Sequence, residues 1–150
     1  MFVTIYSQLV LAAAVIVVTF VFWKGDEPER MGGAAYAMVF LATTMIKGDA
    51  TPNVPRWGVM ALEIILLIVF LGLARYSRRA WPVWAASFQA LIVTSYIMVA
   101  ASLRPPVDAA AAVVNLSNYA ILIAMAVGTF WAWQERRAAG MAEPPGPRSL

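Results

Sequence analysis

Trp57–Arg75, WGVMALEIILLIVFLGLAR, decides the fold. It is an apolar run with one acid, Glu63, set inside it. A run of about 20 apolar residues is long enough to cross the hydrocarbon core of a bilayer as a helix. Four other stretches follow the same pattern. Residues 2–23, 31–46, 80–103 and 109–134 hold no Asp, Glu, Lys or Arg, and residues 57–74 hold only Glu63. The 150-residue chain is 62% hydrophobic and 13% charged, whereas soluble domains run at about 45–50% and about 25%. The composition implies an all-α, polytopic transmembrane bundle over residues 1–134 with almost no soluble part.

The segments are separated by strong breaks. Phe2–Trp23 lacks the basic start and small-residue cleavage site of a signal peptide, so it reads as a retained span. Lys24–Arg30, KGDEPER, reads as a polar, solvated loop. Met31–Ile46 is the short segment. Its 16 residues would make a helix of about 24 Å against a core of about 30 Å. It therefore either spans while packed among its neighbours or enters and leaves on one side. Residues 47–56 contain two prolines and end that segment. Trp81–Leu103 opens with Pro82, which suits a first helical turn, and stops at Arg104-Pro105-Pro106. Ala109–Trp133 follows Asp108, placed as a helix N-cap. Residues 135–150 are polar and proline-rich and read as a disordered cytoplasmic tail.

Charge decides between the two topologies. With five spans, Lys24, Arg30, Arg75, Arg78, Arg79, Arg136, Arg137 and Arg148 fall on one side, and Lys47, Arg56 and Arg104 on the other. Four spans with a re-entrant second segment nearly equalise the sides. Membrane proteins concentrate Lys and Arg in their cytoplasmic loops. Five spans, with the N-terminus outside and the C-terminus in the cytoplasm, is the expectation. The six tryptophans fall near segment ends, as an interfacial belt requires.

In this topology Glu63, Asn115, Asn118, Thr94, Ser95 and Tyr96 gather in the outer half, with Tyr6, Ser7, Gln8, Thr43 and Thr44. Gln89 lies slightly inward. A charged side chain in a span is a functional candidate by default. The alternative is a hydrogen-bonded Glu63, satisfied by Asn118, Tyr96 or a threonine. Asn115 and Asn118 share a helix face and suit interhelical bonds as well as ligand contacts. Gly32, Gly33, Gly58, Ala61 and Gly72 permit close helix approach. Arg75, Arg78, Arg79, Trp81 and Trp84 form a basic-aromatic collar that fixes topology and fits anionic lipid headgroups.

Several function classes drop out. Without Cys or His there is no disulfide, thiolate nucleophile, Cys/His zinc site or His-ligated haem. The three close acids of the 24–30 loop could suggest a metal site, but with the cations Lys24 and Arg30 beside them they read as a solvated loop, and no cofactor is expected. The +3 charge is spread over short loops and is no nucleic-acid footprint.

Arg75–Gln89, RYSRRAWPVWAASFQ, with the KGDEPER loop, resembles small multi-helix inner-membrane proteins of alphaproteobacteria. That resemblance implies a bacterial inner membrane and a helix bundle, and brings no activity with it.

Two functions are consistent with these features. One is a non-enzymatic accessory or assembly subunit that docks another membrane protein or a second copy through its small-residue faces. The other is an ion, proton or small-solute transporter or channel component that uses Glu63. A lipid- or quinone-modifying enzyme fits least. The five-span topology predicts that a Lys47→Cys variant, otherwise free of cysteine, is labelled in intact cells by an external, impermeant thiol reagent. Protection of that cysteine would defeat it.

Overall fold

Local sequence signals account for most of the helix boundaries. Residues 2–48, 57–101 and 107–142 are described by the computed structural model. They form α1 (Phe2–Lys24), α2 (Glu27–Gly48), α3 (Trp57–Tyr76), α4 (Trp81–Ala100) and α5 (Val107–Ala142), with no strand among them. The side chains of Tyr6 and Ser7 lie outside the described set, as do residues 49–56, 102–106 and 143–150.

The stretch read as a solvated loop before Met31 is instead the start of α2. Asp26-Glu27-Pro28-Glu29 is a capping box. The Asp26 backbone N–H donates to Glu29 Oε2 at 3.0 Å, and Arg30 N–H donates to the Asp26 carbonyl at 3.0 Å. Glu29 thus satisfies a backbone donor that the first turn would leave orphaned. Pro28 is tolerated because the first turn needs no N–H there. With its 22 residues, α2 is about 33 Å long rather than the expected 24 Å. Gly25 permits the tight α1–α2 turn: a Cβ there would lie 2.4 Å from the Val21 carbonyl oxygen.

α5 departs from expectation at both ends. It begins at Val107, so Asp108 falls inside its first turn rather than at the N-cap. It continues through Ala142, so residues 135–142 are helical where a disordered tail was expected. QERRAA is made of strong helix formers, and a polar stretch needs no lipid to extend a helix already nucleated. α4 ends three residues short of the expected Leu103, and Ala101 N–H caps it by donating to Ile97.

Each helix packs on the next, and α1 packs on α5, closing a ring of five. α2 also meets α5 across it. The core includes Val21, Tyr36, Leu66, Phe70, Leu73, Trp81, Ile92, Ile121 and Met125. Outside it stand Ile16, Ile65, Ile68, Leu71, Leu91, Leu116 and Ile123, all exposed, whereas Glu29, Glu63, Gln89 and Thr129 are buried. Soluble proteins rarely present so much contiguous apolar surface. Three helices are long and apolar enough to cross a membrane: α3, α4 and the Ala109–Met141 part of α5. The Gln8–Lys24 part of α1 is a shorter apolar stretch.

Trp81 is the keystone of the core. A Cβ on Gly128 of α5 would lie 2.4 Å from its ring, and one on Gly32 of α2 would lie 2.6 Å from it. The indole therefore occupies a slot that two glycines open. Its ring meets Phe70 of α3 edge-on, with centroids 6.3 Å apart, a favoured aromatic geometry. Gly128→Ala should lower stability by about 1–3 kcal/mol through overpacking, read as a drop in thermal midpoint in detergent. Gly140→Ala, where a Cβ meets nothing within 4 Å, should leave the midpoint unchanged or slightly raised.

Candidate functional site

Two polar constellations cross between helices, one inside the bundle and one at its end. Glu63 anchors the first. It is buried on α3, and its carboxylate Oε2 accepts from Gln89 Nε2 on α4 at 2.6 Å. The same amide donates to the Glu63 backbone carbonyl at 3.1 Å. One Gln89 side chain thus fastens both the main chain and the side chain of α3. Gln89 is fully buried, and its Oε1 has no hydrogen-bond partner.

The polar layer continues into α2 and α5. Tyr36, buried on α2, lies within electrostatic reach of Glu63, and its hydroxyl donates to Asn118 Oδ1 on α5 at 3.2 Å. Asn118 Nδ2 in turn donates to the Val114 carbonyl at 2.9 Å. Four helices contribute to this layer: α2, α3, α4 and α5.

The structure brings together Glu63, Gln89 and Asn118 of the residues singled out from sequence, and it adds Tyr36. It does not bring in Asn115, which is exposed. Thr94 and Ser95 turn back to the Ala90 and Leu91 carbonyls of their own helix. Tyr96 is half-buried and packs against the core. Gln89, the residue placed inward of the polar band, is the one that binds Glu63. It sits eight residues into α4, about 12 Å from that end, so the pair lies toward the middle of the bundle. Tyr36 was the missed member. Its aromatic ring had counted toward the apolar character of its segment, and no spacing marked its hydroxyl.

The second constellation lies where α1, α2, α4 and α5 meet. Glu29, 1% exposed, accepts from the Trp81 indole N–H at 2.9 Å through Oε1. Arg79 reaches the same oxygen at 3.3 Å and Asp26 at 2.9 Å. Arg136 of α5 pairs with Asp26 at 3.1 Å and donates to the Lys24 carbonyl. Glu135, mostly exposed, stands 3.8 Å from Arg79. Asp26, Glu29, Arg79 and Arg136 form a network that ties the α1–α2 and α3–α4 connections to α2 and α5.

This network divides the basic-aromatic collar. Trp81 is buried and Arg79 is committed to acids, so neither stands free at the surface. Arg75, Arg78 and Trp84 are exposed. Beside them a cleft of about 490 Å³ opens between α4 and α5, walled by Trp84, Phe88, Ile123, Ala124, Val127 and Trp131.

The chain matches no family model, no curated protein and no solved structure. Its chemistry is therefore read from its own residues. Among the described residues no group of His, Cys, Asp or Glu could hold a metal ion. The acids that are buried are hydrogen-bonded within the bundle: Glu63 by Gln89, Glu29 by Trp81 and the Asp26 backbone.

Gln89→Leu should lower stability by about 1–3 kcal/mol, because it strips a buried acceptor of its donor. Adding Glu63→Leu should recover part of that loss, since removing both polar partners costs less than orphaning one. Thermal midpoints in detergent measure both; a double variant no more stable than the single one would sink the pairing as the source of the loss.

Proposed function

We propose that the protein is a five-span, non-enzymatic subunit of the bacterial inner membrane that docks another membrane-spanning helix on the outer face of α3. The N-terminus lies outside and the C-terminus in the cytoplasm. The kinship with small alphaproteobacterial inner-membrane proteins belongs to the same reading. The five-span topology is supported by the α1–α2 turn, the α3–α4 connection and the Glu135–Arg136 part of α5 meeting at one end of the bundle. Lys24, Arg30, Arg75, Arg78, Arg79, Arg136 and Arg137 cluster near these connections, as a cytoplasmic face requires.

The observation that carries the docking role is an open seam on α3. Gly58, Ala61, Ile65, Ile68 and Gly72 recur at alternating intervals of three and four, the spacing of a helix-packing stripe. The first four are exposed, and a Cβ at Gly72 would meet nothing within 4 Å. Glycines at both ends of an apolar stripe allow a second helix backbone to approach closely. Glu63 points the other way, into the bundle, so its polar chemistry holds α3 in place and leaves the seam for a partner.

A second reading has one observation in its favour. Gln89 Oε1 is a buried acceptor without a donor, next to a buried carboxylate. Together with Tyr36 and Asn118 this resembles the start of a proton or ion relay.

Gly72→Leu separates the two. It projects into open space, so the thermal midpoint of the isolated chain should hold. Association with a partner or a second copy in mild detergent, expected of the unsubstituted chain, should be lost. An unchanged complex, or a bundle whose reconstituted vesicles show proton flux abolished by Glu63→Gln, would overturn the docking role.

A further inference from the structure

The α4–α5 cleft begins at the cationic end of the bundle and runs inward. At its mouth are Arg78, Arg79, Ala80 and Glu135. Its walls are Trp84, Phe88, Ile123, Ala124, Val127 and Trp131, with Ala120 at its inner end. Trp131 to Ala120 is 11 residues along α5, or about 16 Å. That is about half the hydrocarbon thickness of a bilayer. The cleft is thus as deep as one leaflet and apolar where acyl chains lie. Its volume of about 490 Å³ falls within the range of ligand-sized sites, about 300–1,000 Å³.

The mouth carries one cation, Arg78, that no acid engages among the described residues, beside Glu135, which is mostly exposed. Arg79 is held by Asp26 and Glu29, and Glu135 faces that same arginine. Arg78 is exposed and has no acid within ion-pair distance among the described residues. Its backbone is also unusual. Arg78 has φ of 51° and is the only non-glycine residue with positive φ among those described. The left-handed region is costly for a long side chain, and a glycine there would relieve that cost. Beside it, α4 starts at Trp81 after an Ala80 N-cap that offers no side-chain hydrogen bond; Pro82 has no N–H, and the Val83 and Trp84 N–H groups donate to the Ala80 carbonyl, so the group at the cleft mouth able to hold an anion is Arg78.

We propose that this cleft binds one anionic phospholipid, its phosphate on Arg78 and one acyl chain along Trp84, Phe88 and Ile123. The site requires that the bundle lie in a bilayer, and it does not depend on helix docking at α3, which is on the other side of α4. Arg78 accepts backbone strain to present a cation at the point where the apolar cleft meets the headgroup layer.

The test is native mass spectrometry of the full chain from micelles containing equal phosphatidylglycerol and phosphatidylcholine with matched acyl chains. The wild-type protein should retain one phosphatidylglycerol in about fivefold excess, the factor that one arginine near an anionic membrane surface is worth. Arg78→Gly should bring the ratio close to one while the thermal midpoint holds or rises, because glycine is relaxed at that backbone angle. Arg78→Lys should retain most of the preference. Ala124→Leu, which narrows the cleft, should release the retained lipid of either headgroup. Equal retention of both lipids by the wild type, a preference that survives Arg78→Gly, or retention undisturbed by Ala124→Leu would each overturn the proposal. A fall in midpoint with Arg78→Gly would assign the arginine a structural role and overturn it as well.

Discussion

The Trp81 indole, wedged between two glycines and hydrogen-bonded to a buried carboxylate, is the contact on which the rest of the bundle depends. Its ring touches α2 through Gly32, α3 through Phe70 and α5 through Gly128, and its N–H ends on Glu29. Four helices are thereby registered on one side chain. A flat aromatic group fits where two backbones have been cleared of Cβ atoms, and the hydrogen bond fixes its rotation in the slot. Glu29 is equally constrained. It caps α2 with one oxygen and receives Trp81 and Arg79 with the other. Removing one member of a buried charged pair costs about 3–5 kcal/mol, mostly because the other is left unpaired, so this small cluster concentrates much of the bundle's specificity.

The two polar constellations do different physical work. The Glu63–Gln89 pair sits deep, where no water competes, and joins adjacent helices through one amide. The Glu29 network sits at the end of the bundle, partly exposed through Asp26, Arg79 and Arg136, and joins helices distant in sequence. The deep pair is held by hydrogen bonds alone, whereas the end network also gains from opposite charges held at one surface. Between them the helices are fixed at two depths, which limits both sliding and rotation.

Much of the helical architecture was legible because its signals are local and strong. Apolar runs bounded by prolines and basic residues placed α1, α3 and α4 within a few residues, and the lone acid within such a run singled out Glu63. The start of α2 was missed for a specific reason. Asp26-Glu27-Pro28-Glu29 is charged, and polarity was weighed as loop although the same four residues spell a capping box. The end of α5 was missed because the proline-rich residues beyond it coloured a stretch whose own composition favours helix. Depth arguments gathered polar residues into one band but could not sort them by helix face across partners. Thr94 and Ser95 satisfied themselves on their own helix, while Tyr36 and Gln89, facing inward, made the cross-links. Pairing between helices depends on their rotation, which no single segment encodes. The collar was read as one surface for the same reason: only the fold separates Arg79, bound to acids, from Arg78, which is free.

The chain positions of the two buried acids also bear on how such a bundle enters its membrane. Glu63 finds its donor on the very next helix, 26 residues away, so α3 and α4 can enter the bilayer as a hairpin with the carboxylate already hydrogen-bonded to its partner. Glu29 has the Asp26 N–H at once but must wait for Arg79 and Trp81, 50 and 52 residues later. It waits at the first turn of α2, at the bundle end where Asp26 and Arg136 remain in contact with water. The acid whose side-chain partners come late is thus the one stationed where hydration can stand in for them during biosynthesis, and the acid with no water is the one whose side-chain partner arrives at once.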